Sequence, residues 1–327
     1  MKPNYFQICQ NLLKGLPERQ REIISRRFGL GSLSGGDRRE TLEFIGESYG
    51  ITRERVRQIE NEGLSRIKSK TKQYQKVFQF FKDYLKEAGK LKKEDILLED
   101  LGSENQKPQT FFLLNLKDDF ERFGETEEFY PFWTIDKNSP NLAKKVINSS
   151  YDKIKKSEKP LPLKSLTSSS LSKNALNSVL EISKKIQKNP EGLFGLRDWP
   201  EINPRGVKDK AYLVLKKENK PLHFTEVAES IPDGLVQTVH NELIKDPRFI
   251  LVGRGIYGLR EWGYQSGPVK EVIFNVLKQE KKPLAKEEIL NRVLEQRLVK
   301  ENTVLLNLSD KKYFFRNSQG KYTIKES

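Results

Sequence analysis

Two nearly identical strings that lie 63 residues apart constrain the fold of this chain more than any other feature of its sequence. GLFGLRDWPEINP begins at Gly192, and GIYGLREWGYQSGP begins at Gly255. A Lys-Pro-Leu triplet lies upstream of each, and it occurs three times, in EKPLPLKSL, NKPLHFTEV and KKPLAKEEI. Such self-similarity indicates repeated structural units, each of them a small supersecondary fold.

Each repeat shows the same succession of patterns. An amphipathic helix precedes the triplet, and a short and a longer helix follow it, as in VKDKAYLVLKKEN, HFTEVAESI and LVQTVHNELIKD. The last segment, RFILVGRGIYGL, alternates apolar residues around Gly253 and Gly255, which is typical of a two-stranded hairpin. Three helices and a hairpin predict a winged helix. A more distant copy, GKLKKEDILLEDLG followed by EEFYPFWTI, raises the predicted number of units to four. A tryptophan closes three of the units, and we expect each to cap its core, with base stacking as the alternative: Trp133, Trp199 and Trp262.

The first seventy residues have the pattern of a helix-turn-helix instead. LPERQREIISRRFGL predicts a helix over about 17–27 that ends before Gly29, and the polar SLSGGDRR predicts a loop. In ETLEFIGESYG, three apolar residues recur at helical spacing before a break at Gly50. These three are Leu42, Ile45 and Tyr49.

A second helix is predicted to begin at Arg53, with Thr52 as its N-cap. At 100° per residue the positions expected to pack fall on one side: Val56, Ile59, Gly63 and Ile67. On another side lie Arg53, Glu54, Arg57, Gln58 and Asn61. Arginine can chelate a guanine edge, glutamine an adenine edge, and glutamate can accept from a cytosine amino group. These five residues and Thr52 are therefore the candidate DNA-binding residues, with a solvated charged helix as the alternative.

A third strip of the same helix, formed by Arg55, Glu62 and Arg66, predicts surface salt bridges. Glu62 and Arg66 have the i, i+4 spacing of an ion pair.

The string ETLEFIGESYGITRERVRQIENEGLSRIKS resembles region 4 of sigma-70-type RNA polymerase sigma factors, whose signature runs into TRERVRQIE. LPERQREIISRRFGL resembles the preceding subregion, so the resemblance covers about residues 10–70. It implies that Arg53, Glu54, Arg57 and Gln58 occupy the family's contacting positions for the −35 promoter element. Glu62 departs from the basic residue that the family often has there.

The same resemblance implies docking on the flap of the polymerase β subunit through an apolar cup. Leu30, Leu42 and Ile45 are the candidates for this cup, with a plain core role as the alternative. No counterpart of the family's promoter-melting region is found in the sequence, so we do not expect a self-sufficient initiation factor.

KAYLVLKKENKPLHFTEVAESI with DPRFILVGRGIYGLREW resembles the HARE-type helix-turn-helix, a winged module also found in the delta subunit of bacterial RNA polymerase. This resemblance implies contact with polymerase, with DNA, or with both. His223 lies inside the motif and is expected to pack or to hold a turn; His240 is expected at the surface or in the core.

The predicted fold class is therefore mainly α, with a sigma region 4-like helix-turn-helix followed by tandem winged-helix units with small hairpin wings. The predicted bounds are 1–72 for the helix-turn-helix, 73–136 for a divergent acidic unit, 137–200 for a basic unit, 205–264 for the HARE-type unit and 268–325 for the C-terminal unit.

Charge favours polyanionic partners. The 327-residue chain has a formal net charge of +15 and a pI of about 9.5, which attracts nucleic acid at ordinary salt. Residues 86–130 carry 7 basic and 12 acidic residues, whereas residues 137–190 carry 12 basic and 3 acidic ones. The acidic unit should avoid DNA and the basic unit should approach it, unless the lysines of residues 157–174 belong to a flexible loop.

The residues that several classes of function require are missing from the sequence. A single cysteine, Cys9, excludes an internal disulfide, and two histidines cannot build the usual Cys/His zinc site. The sequence shows no phosphate-cradling glycine loop, no metal-ligand cluster and no nucleophile–base motif, so we expect no enzyme, no cofactor, no metal and no small-molecule substrate. No stretch is apolar enough to be a signal peptide or a membrane span, which predicts a cytoplasmic protein.

The favoured hypothesis is a transcription protein that reads promoter-like double-stranded DNA through the helix starting at Arg53 and contacts the RNA polymerase core. Two alternatives stay open: a repressor or architectural protein that is independent of polymerase, and a protein-binding adaptor of the transcription machinery.

Overall fold

The structure, a computed structural model, describes residues 3–31, 39–102, 104–167 and 171–325. Its N-terminal part is helical, with α1 at Tyr5–Leu13, α2 at Glu18–Phe28, α3 at Leu42–Tyr49 and α4 at Arg53–Lys70. Gly29 and Gly50 end α2 and α3 with φ of 66° and 63°, a left-handed conformation that favours glycine. These bounds confirm the predicted helices. Residues 32–38 of the predicted loop lie outside the described residues.

The rest of the described chain repeats one order of elements: a helix, a short strand, two helices and two strands. The first repeat has α5 Gln75–Glu87, β1 Leu91–Lys93, α6 Glu94–Gly102, α7 Lys107–Asn115, β2 Glu121–Phe123 and β3 Phe132–Thr134. The second has α8 Ser139–Ser157, β4 Leu161–Pro162, α9 Leu163–Leu166, α10 Lys173–Glu181, β5 Ile186–Lys188 and β6 Leu193–Leu196. Residues 168–170 of its predicted flexible segment lie outside the described residues.

The third repeat has α11 Gly206–Glu218, β7 Leu222–His223, α12 Phe224–Glu229, α13 Val236–Lys245, β8 Phe249–Gly253 and β9 Ile256–Leu259. The fourth has α14 Val269–Glu280, α15 Lys286–Gln296, α16 Glu301–Leu308, β10 Phe314–Arg316 and β11 Tyr322–Ile324. In the fourth, an isolated bridge between Leu284 and Tyr322 replaces the short strand. Short 3-10 turns occur at Thr71–Tyr74, Glu104–Gln106 and Arg260–Trp262. No helix within the described ranges is both long and apolar enough to cross a membrane.

Each Lys-Pro-Leu triplet extends from the end of the first helix of its repeat to the residue that pairs with the last strand of that repeat. The residue that ends each preceding helix is left-handed, with φ of 52° at Glu158, 50° at Asn219 and 52° at Lys281. The leucine then pairs with the last strand of its own repeat: Leu161 with Phe194, Leu222 with Tyr257 and Leu284 with Tyr322. The first three sheets therefore have three strands, in the orders β1-β3-β2, β4-β6-β5 and β7-β9-β8. The predicted hairpin is present, and the short third strand is what the sequence pattern missed.

The chain divides into two compact units, residues 1–197 and residues 198–327. Within the first, one apolar core runs from the helix-turn-helix into the first repeat. Phe28 of α2 lies 5.1 Å from Phe112 and 6.0 Å from Phe111 of α7, and Tyr5 of α1 lies 5.5 Å from Phe81 of α5, measured between ring centroids. Residues on both sides of position 72 thus share a core, and the predicted bounds of the units stay a prediction.

Three of the aromatic residues singled out in the sequence, Trp133, Trp262 and His223, have structural roles. Trp133 is buried in the shared core, and its Nε1 donates to Glu94 Oε2 at 3.0 Å. Trp262 is half-buried against the core of the third repeat, and Trp199 is half-buried as well. His223 caps α12 in a capping box with Glu226, which confirms the predicted turn role.

Candidate nucleic-acid interface

The helix-turn-helix is held by a small core of its own. Ile23, Ile45, Val56 and Ile59 are buried together, and the face predicted to pack is buried in full: Val56, Ile59, Gly63 and Ile67. Glycine keeps the elements close at two points. A Cβ at Gly46 would lie 2.7 Å from the Ile51 carbonyl oxygen, and one at Gly63 would lie 2.6 Å from Ile24 Cδ1. Both contacts fix the direction in which α4 leaves the turn.

The N-terminus of α4 is capped as predicted. The Thr52 hydroxyl accepts a hydrogen bond from the backbone N–H of Arg55 at 3.2 Å, and Thr52 itself is exposed. This cap satisfies one of the free N–H groups of the first turn, and the exposed first turn carries the partial positive charge of a helix N-terminus. Both features favour an anion at this end of α4.

The outer face of α4, formed by Arg53, Glu54, Arg57, Gln58 and Asn61, is exposed along its whole length. Arg57 is paired with Glu54: Nη2 lies 2.6 Å from Oε1, and Nε donates to Oε2 at 2.9 Å. These hydrogen bonds hold the pKa of the Glu54 carboxyl below its ordinary value and raise the pKa of Arg57. The Gln58 side chain is held by Arg55, whose Nη1 donates to Gln58 Oε1 at 3.1 Å. Arg57 and Gln58 are therefore oriented by neighbours on the same helix.

The predicted salt bridge between Glu62 and Arg66 is wrong. Gln20 of α2 lies between the two side chains, donating to Glu62 Oε2 at 3.3 Å and accepting from Arg66 Nη1 at 3.3 Å. The reason is the close approach of α2 and α4 at Gly63, where a Cβ would lie 3.8 Å from Gln20 Cβ. Arg55 likewise bonds to Gln58 and not to a carboxylate.

The three candidates for an apolar polymerase-binding cup do not form an exposed surface. Leu30 and Ile45 are buried, and Leu42 is half-buried against the helix-turn-helix core. The core alternative is therefore confirmed for Leu30 and Ile45. The sequence pattern did not single out Phe44, which lies on α3 and is 57% exposed.

Comparison with known proteins agrees with this geometry in the N-terminal part of the chain. Residues 12–69 match the family Sigma-70, region 4. A similar protein is the "RNA polymerase sigma factor sigF, chloroplastic" of Arabidopsis thaliana, which is 44% identical over 59 residues. This alignment covers 18% of the present chain and 10% of the relative, so it spans a small part of both.

A solved structure titled "Crystal structure of bacterial selenocysteine-specific elongation factor EF-Sec" aligns with 71% of this chain and 39% of its own at 17% identity. Its TM-score of 0.21 is too low to carry an argument about fold or function.

The region 4 segment covers the third helix of the first repeat. In α7, Phe112, Leu113 and Leu114 are buried, and the segment supplies Phe28. The N–H of Tyr5, at the start of α1, donates to Oε1 of Gln106, the residue before α7, at 3.0 Å. α7 follows α6 in its repeat as α4 follows α3 in the helix-turn-helix. Because it is buried, α7 cannot enter a DNA groove.

The third helix of the second repeat, α10, is covered in turn by the first repeat. A Cβ at Gly89 would lie 2.3 Å from the Ala175 Cβ, and Lys92 Nζ pairs with Glu181 Oε2 at 2.7 Å. Both helices are thus used for packing within residues 1–197, and α4 keeps its outer face in solvent.

Proposed function

We propose that this protein binds promoter-like double-stranded DNA through the outer face of α4 and acts in transcription in contact with RNA polymerase, as a binding protein and not as an enzyme. The observation that carries the proposal is the exposed face of arginine, glutamate, glutamine and asparagine on the second helix of a segment that matches Sigma-70, region 4. A relative of that segment is named as an RNA polymerase sigma factor, which supports polymerase as the partner.

Each residue of the face has a role in this proposal. Arg57 and Gln58 contact base edges, because their side chains suit guanine and adenine in the major groove. Thr52 and Arg53, at the N-terminus of α4, contact phosphate, where the helix dipole adds to the attraction. Glu54 orients Arg57 and can accept from cytosine, and Asn61 extends the face by one turn. In this proposal the protein acts on DNA that another factor opens.

We further propose that the four repeats are winged-helix units. The recurring order of helix, strand, helix, helix, strand, strand supports this assignment. Residues 205–264 are the HARE-type unit in this proposal, and residues 73–136, 137–200 and 268–325 are its relatives. Their role is to add contacts to polymerase or DNA beyond those of α4.

Binding to duplex DNA is expected to weaken steeply with salt. Each lysine or arginine that neutralises a phosphate releases a counterion, so the slope of log affinity against log salt should be about −0.9 per contact. A filter-binding titration of the full chain between low and moderate salt measures it. A flat response would exclude DNA as a partner held by phosphate contacts.

A pulldown of purified core polymerase, with and without promoter DNA, separates the proposal from its alternatives. Retention of polymerase in both conditions supports a transcription factor that docks on the enzyme. DNA binding without retention favours a repressor or architectural protein, and retention without DNA binding favours an adaptor. Crosslinking from residues 53–61 would then locate the promoter positions that lie under α4.

A further inference from the structure

The second repeat is the most basic part of the chain, yet its third helix is not available to DNA. Residues 137–190 hold 12 lysines and 3 acidic residues. In a winged-helix unit such charge would be expected around a reading helix, but α10 is packed against the first repeat. The exposed lysines of the second repeat must therefore belong to a surface other than that of α10.

That surface is the outward side of α8, the 19-residue helix that opens the repeat. Its inner side packs through Ala143, Ile147, Ser150 and Ile154. At 100° per residue the outward side carries exposed polar and charged residues. These are Asn141, Lys145, Asn148, Ser149, Asp152 and Lys156, with Lys153 and Lys155 on its flanks and one exposed apolar residue, Leu142, on the flank of Lys153.

Four of the five lysines of α8 form no ion pair with a residue that the structure describes, unlike several lysines elsewhere in residues 1–197. Lys68 pairs with Asp118 at 2.7 Å, and Lys82 pairs with Asp119 at 3.1 Å. On α8, Lys144 also pairs, with Glu128 at 2.6 Å. By contrast, Lys145, Lys155 and Lys156 make no ion pair with any residue that the structure describes, and Lys153 Nζ donates to the carbonyl oxygen of Thr167 at 3.5 Å. Unpaired ammonium groups on one helix create a positive potential that attracts phosphates.

The chemistry of this side favours duplex DNA over other polyanions. Asn148 and Ser149 place neutral hydrogen-bond donors between the lysines, as phosphate contacts commonly do. Single-stranded nucleic acid is held largely by aromatic stacking, and the outward side carries no aromatic residue. From Lys145 to Lys156 the helix rises about 16 Å, which suits an extended backbone contact.

We propose that the outward side of α8 contacts the phosphate backbone of duplex DNA without reading its sequence. This inference rests on the proposed function, because it assumes that the protein binds duplex DNA. It assigns sequence reading to α4 and backbone contact to α8, on modules that share the compact unit of residues 1–197.

The test compares two triple variants of the full chain with equal loss of charge. Lys145→Ala/Lys153→Ala/Lys156→Ala removes three of the α8 lysines. The control, Lys72→Ala/Lys76→Ala/Lys86→Ala, removes three exposed lysines beside and within α5 of the acidic first repeat, which is expected to avoid DNA. The α8 variant should bind both preferred and random duplex roughly tenfold more weakly, with a salt slope smaller by about 2 to 3. The control variant should keep the affinity within about twofold and leave the salt slope unchanged. Circular dichroism confirms that both variants are folded.

Three results would overturn the inference: an unchanged salt slope in the α8 variant, equal losses in both variants, or a loss on single-stranded oligonucleotides without a loss on duplex. Failure of the proposed function gives a different result, since the unmodified protein would then show no salt-dependent duplex binding at all. Duplex affinity that is unchanged by the α8 substitutions, together with a preference for the selected sequence that Arg57→Ala weakens, would leave the proposed function intact and reject the role of α8.

Discussion

Replacing Phe28 with alanine is expected to lower the free energy of unfolding of residues 1–197 by about 3–5 kcal/mol, the range for truncating a buried phenylalanine. The ring is 5% exposed and lies against Phe111 and Phe112 of α7. The truncation would leave a cavity where α2 meets the first repeat, and helices on both sides would lose contacts. Denaturant unfolding followed by circular dichroism measures the loss.

The same substitution at Phe44 is the matched control. Phe44 lies in the same helix-turn-helix but is 57% exposed, so its removal should change the free energy of unfolding by no more than about 0.5 kcal/mol. Equal effects at the two positions would mean that α2 and α7 do not share a core.

Replacing Arg57 with alanine is expected to cost about 1–3 kcal/mol in binding to the preferred duplex and little on random duplex. The guanidinium is exposed and oriented by Glu54, with N–H groups left to donate to a base edge. The preferred sequence would first be selected from a random pool, and affinities for both duplexes would then be measured at one salt concentration.

Arg66→Ala is the control for charge. Arg66 is an exposed residue of the same helix, but it lies on the strip beside the outer face and donates to Gln20 of α2. Its loss should affect both duplexes alike and weakly. An equal effect of Arg57→Ala on preferred and random DNA would show that Arg57 contacts phosphate, and base reading would then have to be sought at Gln58.

The geometry of α4 could be predicted from the sequence because it depends on local chemistry. Thr52 caps the helix with its own hydroxyl, and the spacing of Val56, Ile59, Gly63 and Ile67 already determines which side is buried. The outer face consists of positions that remain on the other side of α4. Its DNA contacts stay a prediction, since they depend on a partner that the sequence does not contain.

The features that could not be predicted from the sequence depend on contacts between distant residues. Gln20 lies 42 positions from Glu62, and periodicity within α4 cannot show that a side chain of α2 comes between Glu62 and Arg66. The short strands of two or three residues have too few positions for an alternation. The burial of α7 did have a signal, because KPQTFFLLN is apolar around most of its circumference, as in helices that are covered on several sides.

The core shared by the helix-turn-helix and the first repeat bears on where the protein can be cut. A fragment that ends at residue 72 would leave Phe28, Leu30 and Ile67 without the aromatic residues of α5 and α7 that complete their core. Such a fragment would present a large apolar surface to water and would tend to aggregate, even though it holds every residue of the outer face of α4. Limited proteolysis should accordingly release the DNA-reading helix only within a piece that reaches close to residue 197.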